Sequence, residues 1–229
     1  MESKATCERI LDSAERLFSK HGFSDASLRQ ITEDAGVNLA AVNYHFGSKE
    51  DLYKEVLLRR IRPLNEERLA LLANAEQLAG DQSVPLHAIL DSFIRPLLRR
   101  ATDDKTGGMP FLQLICRDLS DPRPFLFELL AGEFDPLVAR YTRSFTQALP
   151  HLSMSELFWR MQFTIGGMLY AAVRHRDFER ASGGLCQGAD LDGCIGRLIN
   201  FCAAGMMSPE SPASSNIAFM PNEAIQSTI

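Results

Sequence analysis

The side chains best suited to chemistry in this chain are Asn43, Tyr44 and His45, three consecutive hydrogen-bonding groups, with Arg29 before them and Lys49 just after. A helix over Leu39–Phe46 places Val42 and Phe46, four apart, on one face. Its other face carries Leu39, Ala40, Asn43, Tyr44 and His45 instead of the Glu/Lys mixture of an ordinary solvated helix. Small and hydrogen-bonding groups on a short helix with an apolar back suit the major groove of DNA. From these residues alone, a helical hairpin in some other small domain fits as well.

The residue types that usually carry catalysis do not assemble. None of His21, His45, His87, His151 or His175 follows a glutamate by three residues, as a di-iron bundle requires. No G-x-S-x-G, Walker loop or dinucleotide fingerprint occurs, so an enzyme is not expected. Cys186, Cys194 and Cys202 repeat every eight residues, with Cys7 and Cys116 elsewhere, but there is no C-x-x-C and no histidine at ligand spacing. These are read as reduced core thiols, and neither a metal nor another cofactor is expected.

The elements that must position the polar triplet can be read from short-range signals. Ser27 caps a first helix with Leu28, Ile31 and Ala35 inward, Gly36 reverses the chain, and Asn38 caps the second. Before them, residues 4–21 form an amphipathic helix with Ile10, Leu11, Ala14, Leu17 and Phe18 at helical spacing, ended by Gly22 and Phe23. After Phe46, Ser48 caps a further helix with Glu50 and Asp51 in its first turn. Three helices can then share one core.

The run from Ile10-Leu-x-x-Ala14 through Phe18-x-x-x-Gly22-Phe23 to Tyr44-His45-Phe46-x-x-Lys49-x-x-Leu52 resembles the TetR family of bacterial transcription regulators over about the first 60 residues. The segment GVNLAAVNYHF, 36–46, is similar to its fatty-acid-responsive, PsrA-like branch. Thr32 departs from the family's usual alanine, and its hydroxyl can bond back along the helix. The resemblance implies an all-α fold, an N-terminal three-helix helix-turn-helix DNA-binding domain followed by a larger helical ligand-binding and dimerisation domain. The expected DNA-binding residues are Ser27, Arg29, Asn38, Leu39, Ala40, Asn43, Tyr44, His45 and Lys49. The expected partners are a double-stranded operator with two related half-sites, a second copy of the chain and a small apolar effector.

The net charge of −5 does not oppose this, because residues 1–62 carry ten basic and ten acidic groups and the deficit lies beyond them. A neutral domain binds phosphates if its cations and helix N-termini converge. At 229 residues with 45% hydrophobic content, the chain can bury a sizeable core. No stretch reaches the ~20 apolar residues of a membrane span, and the N-terminus is charged throughout, so a cytoplasmic protein is expected.

The expected organisation is residues 1–48 for DNA binding, 49–62 as a connecting helix, 63–207 for effector binding and dimerisation, and 208–229 as a mobile tail. Pro63 starts a polar helix to about residue 79, and helices follow over 84–101, 111–119, from the 121–124 turn to 149 with an adjustment at Pro136, over 154–178 and over 190–206. Thr102 to Pro110 is a loop, and a Gly/Ser loop covers 182–188. The connection from the 49–62 helix into the Pro63 helix is the expected mechanical link between the two functions.

Residues 157–173 and 194–207 are too apolar around their circumference for one-sided surface helices. Their mixture of small and bulky groups leaves two readings, burial within one subunit or a four-helix dimer interface through Gly166, Gly167, Leu169, Leu198, Phe201 and Ala203; the resemblance favours the second. It also implies an apolar effector pocket, expected among Phe93, Leu97, Phe111, Leu114, Ile115, Phe125, Phe145, Trp159 and Phe163, although ordinary core packing would use the same residues. Arg95, Arg117, Arg123 or Arg160 could hold a carboxylate or phosphate head group. A fatty acid or acyl-CoA suits the composition, as do aromatic drugs and other apolar metabolites. An activator, a ligand-independent regulator or a helical lipid carrier are the alternative functions.

Overall fold

The computed structural model describes residues 2–103, 108–120 and 124–210, with the backbone alone at 2 and 124–131. Among these the secondary structure is helical. The helices are α1 (Glu2–Asp25), α2 (Leu28–Ala35), α3 (Leu39–Phe46), α4 (Lys49–Ala79), α5 (Leu86–Ala101), α6 (Gly108–Ser120), α7 (Pro124–Ala148), α8 (Met154–Arg174), α9 (Phe178–Ala181) and α10 (Leu191–Met207). The helix-turn-helix unit leads into a larger helical body. The expected tail beyond 210, and the turn at 121–123, lie outside the described residues.

Helix α1 is broken at Gly22, whose φ of 81° and ψ of 172° are open to glycine and costly for other residues. Its buried Ile10, Ala14 and Phe18 face Ile31 of α2, Val42 of α3, and Leu52, Tyr53 and Val56 of α4 in one apolar cluster. Arg60 of α4 grips the buried Glu15 of α1 through two 2.8 Å hydrogen bonds, and neighbouring Arg59 pairs with Asp12 at 2.7 Å. Two of the ten N-terminal cations are therefore spent on holding α1 to α4. The Glu15 carboxylate is the main reason the Arg60 pKa is raised.

The expectation of a helix boundary at Pro63 is corrected: α4 runs unbroken from Lys49 to Ala79. Proline forfeits one helical hydrogen bond and costs ~3 kcal/mol in a helix interior. Burying Ile61, Leu64 and Leu72 on the continuing stripe contributes about 1.5–3 kcal/mol each, enough to outweigh it. Pro63 itself lies on the solvent side, and its carbonyl accepts from Arg100 Nη2 at 3.2 Å. Other boundaries shift slightly. Helix α6 starts at Gly108 instead of 111, and α8 ends at Arg174, followed by a 3₁₀ turn and α9.

The larger body packs α4, α5, α7, α8 and α10 around a shared core, and α6 bridges α5 and α8 to α1. Cys7, Cys116, Cys194 and Cys202 are half-buried or buried, and burial raises each thiol pKa, which keeps them protonated near neutrality. Cys186 departs from the core-thiol expectation: it sits exposed in the loop before α10.

Candidate functional site

The polar triplet is held by a turn whose parts each have a physical cause. Ser27 caps α2 in a reciprocal box, its Oγ accepting from Gln30 N at 3.2 Å while Gln30 Oε1 accepts from Ser27 N at 2.9 Å. Gly36 takes φ 63°, the left-handed cap that turns the chain. Asn38 Oδ1 accepts from Ala41 N at 2.9 Å and starts α3. The Thr32 hydroxyl donates to Arg29 O at 2.8 Å, so the extra group is satisfied within its own helix.

On α3, Val42 is buried and Phe46 half-buried, while Leu39, Ala40 and Asn43 are exposed, Tyr44 is 84% exposed and His45 is half-buried. Tyr44 and His45 rings meet edge to face at 5.2 Å. This is an outward surface of the composition expected. Arg29 is exposed beside it and paired with Glu33 at 2.9 Å. Ser27 and Asn38 are exposed, with their side chains occupied as caps. Lys49 is turned back, its Nζ 4.5 Å from the Phe23 ring and 3.4 Å from Ser24 O.

A second feature is a cavity of 420 Å³ in the larger body, walled by α4, α5, α6, α7 and α8. Phe93, Leu97, Phe111, Ile115 and Phe145 line it, as expected of a pocket. Leu114 is buried beside it but is absent from its wall, and the side chain of Phe125 lies outside the described residues. Trp159 and Phe163 are corrected: they stack on the outer face of α8, exposed. Because α8 is apolar on most of its circumference, its sequence could not say which of its apolar side chains face inward. Leu157, Met161, Ile165 and Met168 do.

The head-group arginines are also corrected. Arg95 is taken by Asp91 and Asp192, Arg117 donates to Lys20 O, and Arg160 donates to the carbonyls of Gly205, Met206, Ser208 and Pro209 at the end of α10. Arg123 lies outside the described residues. The arginine that does line the cavity is Arg68, with Asn65 and Tyr141. A signal was present: Leu64, Arg68 and Leu72 are spaced by four, so the cation sits on the core stripe of α4.

Helix α6 joins the two features. Phe111, Ile115 and Leu119 face the cavity, whereas Arg117 reaches the α1 backbone at Lys20 O, 3.2 Å away. Asp118 accepts from the buried Tyr53 hydroxyl of α4 at 2.9 Å to each carboxylate oxygen. The mechanical link expected in α4 thus has a companion that the sequence did not reveal, because contacts between residues 65 apart leave no local pattern.

Among the described residues, the outer faces of α8 and α10 expose large apolar side chains, with Tyr170 stacked on Phe178 of α9. Trp159, Phe163, Gly166 and Tyr170 follow the 4-3-4 spacing of a single helical stripe, and Phe201 and Ala204 of α10 are exposed too. Of the residues expected at a dimer interface, Gly166 and Phe201 lie on exposed faces. Gly167 and Leu198 are half-buried against each other, Leu169 lines the cavity, and Ala203 is buried within the subunit.

Residues 10–56 match the family model for bacterial regulatory proteins of the tetR family, and residues 91–205, half of the chain, match that for the tetracyclin repressor-like C-terminal domain. The regulator AcrR of Shigella flexneri is 46% identical over 104 residues, 45% of this chain and 46% of that protein. The repressor BepR of Brucella suis is 31% identical over 104 residues, 45% of this chain and 47% of that protein. The chain thus spans about half the length of these curated relatives. Among solved structures, a tetR family transcription regulator from Shewanella sp. PV-4 matches with a TM-score of 0.56 at 20% identity, covering 86% of this chain and 97% of that one. The fatty acid degradation regulator FadR of Bacillus halodurans matches at 0.51 and 14% identity, covering 84% and 94%. At such identities these likenesses concern the fold. With both family models matched and the helix-turn-helix geometry in place, the chain belongs to the TetR family of bacterial regulatory proteins.

Proposed function

We propose that this protein is a dimeric transcriptional repressor whose operator affinity falls when a small apolar effector fills the α4–α8 cavity. The observation that carries the reading is that α4 runs from the DNA-binding unit into the cavity wall, and that α6, part of the same wall, is bonded to Lys20 O of α1 and to Tyr53 of α4. A 420 Å³ cavity lies within the ~300–1,000 Å³ range of small-molecule sites. The exposed α3 face supplies groups for base edges and phosphates, and the exposed α8 and α10 stripes supply a surface for the second copy. Two reading helices at fixed separation then combine the discrimination of two half-sites.

An effector acts only through differential affinity. Occupancy that favours a different placement of α6 or tilt of α4 is felt at Tyr53, Lys20 and the start of α4, directly after the reading helix. The sign of regulation is supported by the printed name of BepR as a repressor. The similarity of residues 36–46 to the PsrA-like branch supports an effector with an acyl chain, as free acid or thioester. Selection of bound fragments from genomic DNA with the purified chain, followed by release assays with apolar compounds, tests this reading. Failure to retain any DNA preferentially would refute it.

A further inference from the structure

We infer that Arg68 holds the carboxylate of a single-chain amphipathic anion about 12 carbons long, bound head first with its tail directed to the cavity lip. This deepens the effector reading above and rests on it. Arg68 is 6% exposed and lines the cavity. Its Nε donates to Phe93 O at 2.9 Å and its guanidinium lies over the Phe93 ring, 4.3 Å from the centroid, while its remaining hydrogen bonds are long: Asn65 Oδ1 at 3.4 Å and Met168 Sδ at 3.7 Å. These three neutral acceptors do not match five N–H donors, and one of them is a thioether. Among the described residues no carboxylate pairs with it. Adjacent Glu67 is engaged by Arg100 at 2.7 Å.

A guanidinium buried without a counter-charge is costly, and an anion delivered by a ligand would offset that cost with charge-assisted bonds. Burial lowers its pKa to about 10, so the group stays cationic near neutrality. Asn65 borders the same end, and its amide nitrogen can donate to a second carboxylate oxygen; the Tyr141 hydroxyl there already donates to Arg68 O at 3.2 Å. The remaining wall is almost wholly apolar.

The distance along α8 sets the chain length. Met168 beside Arg68 and exposed Phe158 at the lip are about ten residues apart on α8, or roughly 15 Å. A carbon zigzag of ~1.5 Å bonds near ~111° advances about 1.25 Å per carbon, so about 12 carbons span that distance. Dodecanoate has that length. A CoA thioester does not fit head first, because its nucleotide cannot enter the buried end and its carbonyl carries no charge.

The test is calorimetric titration and melting of the full chain with octanoate, dodecanoate, hexadecanoate, dodecanol, methyl dodecanoate and dodecanoyl-CoA, below their micelle concentrations. Dodecanoate should bind best and at least tenfold more tightly than dodecanol or the ester. Arg68→Met should weaken dodecanoate roughly 10- to 100-fold while leaving dodecanol unchanged. Arg68→Lys should recover part of the loss, and DNA retention by both variants reports that they fold. Equal binding of dodecanoate and dodecanol, or full dodecanoate affinity in Arg68→Met, would overturn the head-group assignment and leave the apolar-effector reading standing. If no single-chain ligand binds, the inference is wrong. The effector reading falls only if a wider set of apolar compounds also fails to release DNA.

Discussion

Phe201→Asp is the sharpest probe of the second-copy surface. Trp159, Phe163, Tyr170 and Phe201 are 56%, 70%, 63% and 79% exposed. At about 200 Å² per aromatic side chain they present roughly 540 Å² on one subunit and about twice that across a symmetric pair. That already reaches the ~1,000 Å² expected of a specific interface. Phe201 alone accounts for about 160 Å², or ~4 kcal/mol at ~25 cal/mol per Å², and a two-fold pair uses it twice. Association realises only part of such area, so half the doubled value, about 4 kcal/mol, is the working figure. The dimer dissociation constant should then rise about a thousandfold. Because Phe201 is exposed within the subunit, the variant should keep its helical circular dichroism. Sedimentation velocity at micromolar protein reads the outcome. A variant that stays dimeric with unchanged dissociation, or a wild-type monomer that binds its operator fully, would refute the assignment.

Other perturbations address the remaining parts. Lys49→Ala should weaken binding to all sequences alike and flatten the salt dependence by about one unit, whereas Tyr44→Phe should weaken binding without altering the slope. Salt-titrated binding measures both, and releasing Lys49 from Phe23 costs only ~0.5–1 kcal/mol. Tyr53→Phe removes a hydrogen bond to a carboxylate worth about 1.5–3 kcal/mol, lowering the melting temperature by several degrees. The diagnostic readout is the ratio of operator affinities with and without effector, which should shrink; an unchanged ratio argues against α6 as a link. Arg140 chiefly holds the Glu76 carboxyl below its ordinary value of 4.5, and Arg62 does so for Glu133. Their folded pKa values lie below the unfolded ones, so this stabilisation of the α4–α7 contact is present above about pH 4.5 and lost as pH falls through the folded values. The pairs are partly exposed, so each contributes less than ~1 kcal/mol, and Arg140→Met should reduce the acid-induced fall in melting temperature.

The helix-turn-helix unit was legible because its determinants are local. Ser27, Gly36, Asn38 and Ser48 act within four residues of themselves, and the structure finds each doing so. Pro63 misled because the same local reasoning ignores a buried stripe that continues on both sides of it. Trp159 and Phe163 could not be placed because a helix apolar on most of its circumference carries no clear facing signal. The spacing of Arg68 from Leu64 and Leu72 puts it on the stripe, but only three dimensions show that among the described residues no acidic partner meets it. The Tyr53–Asp118 contact had no sequence signal.

The unbroken α4 gives the molecule mechanical leverage. From Lys49 to Arg68 it extends about 28 Å, so a tilt of roughly 5° about the cavity end displaces the reading helix by about 2.5 Å. In a two-fold pair both ends swing, and the separation changes by about 5 Å, more than the ~3.4 Å between successive base pairs. Pro63 leaves one rung missing on the solvent side of that helix, so on the effector reading proposed above its stiffness would set how much of a push at the cavity arrives at the reading helix.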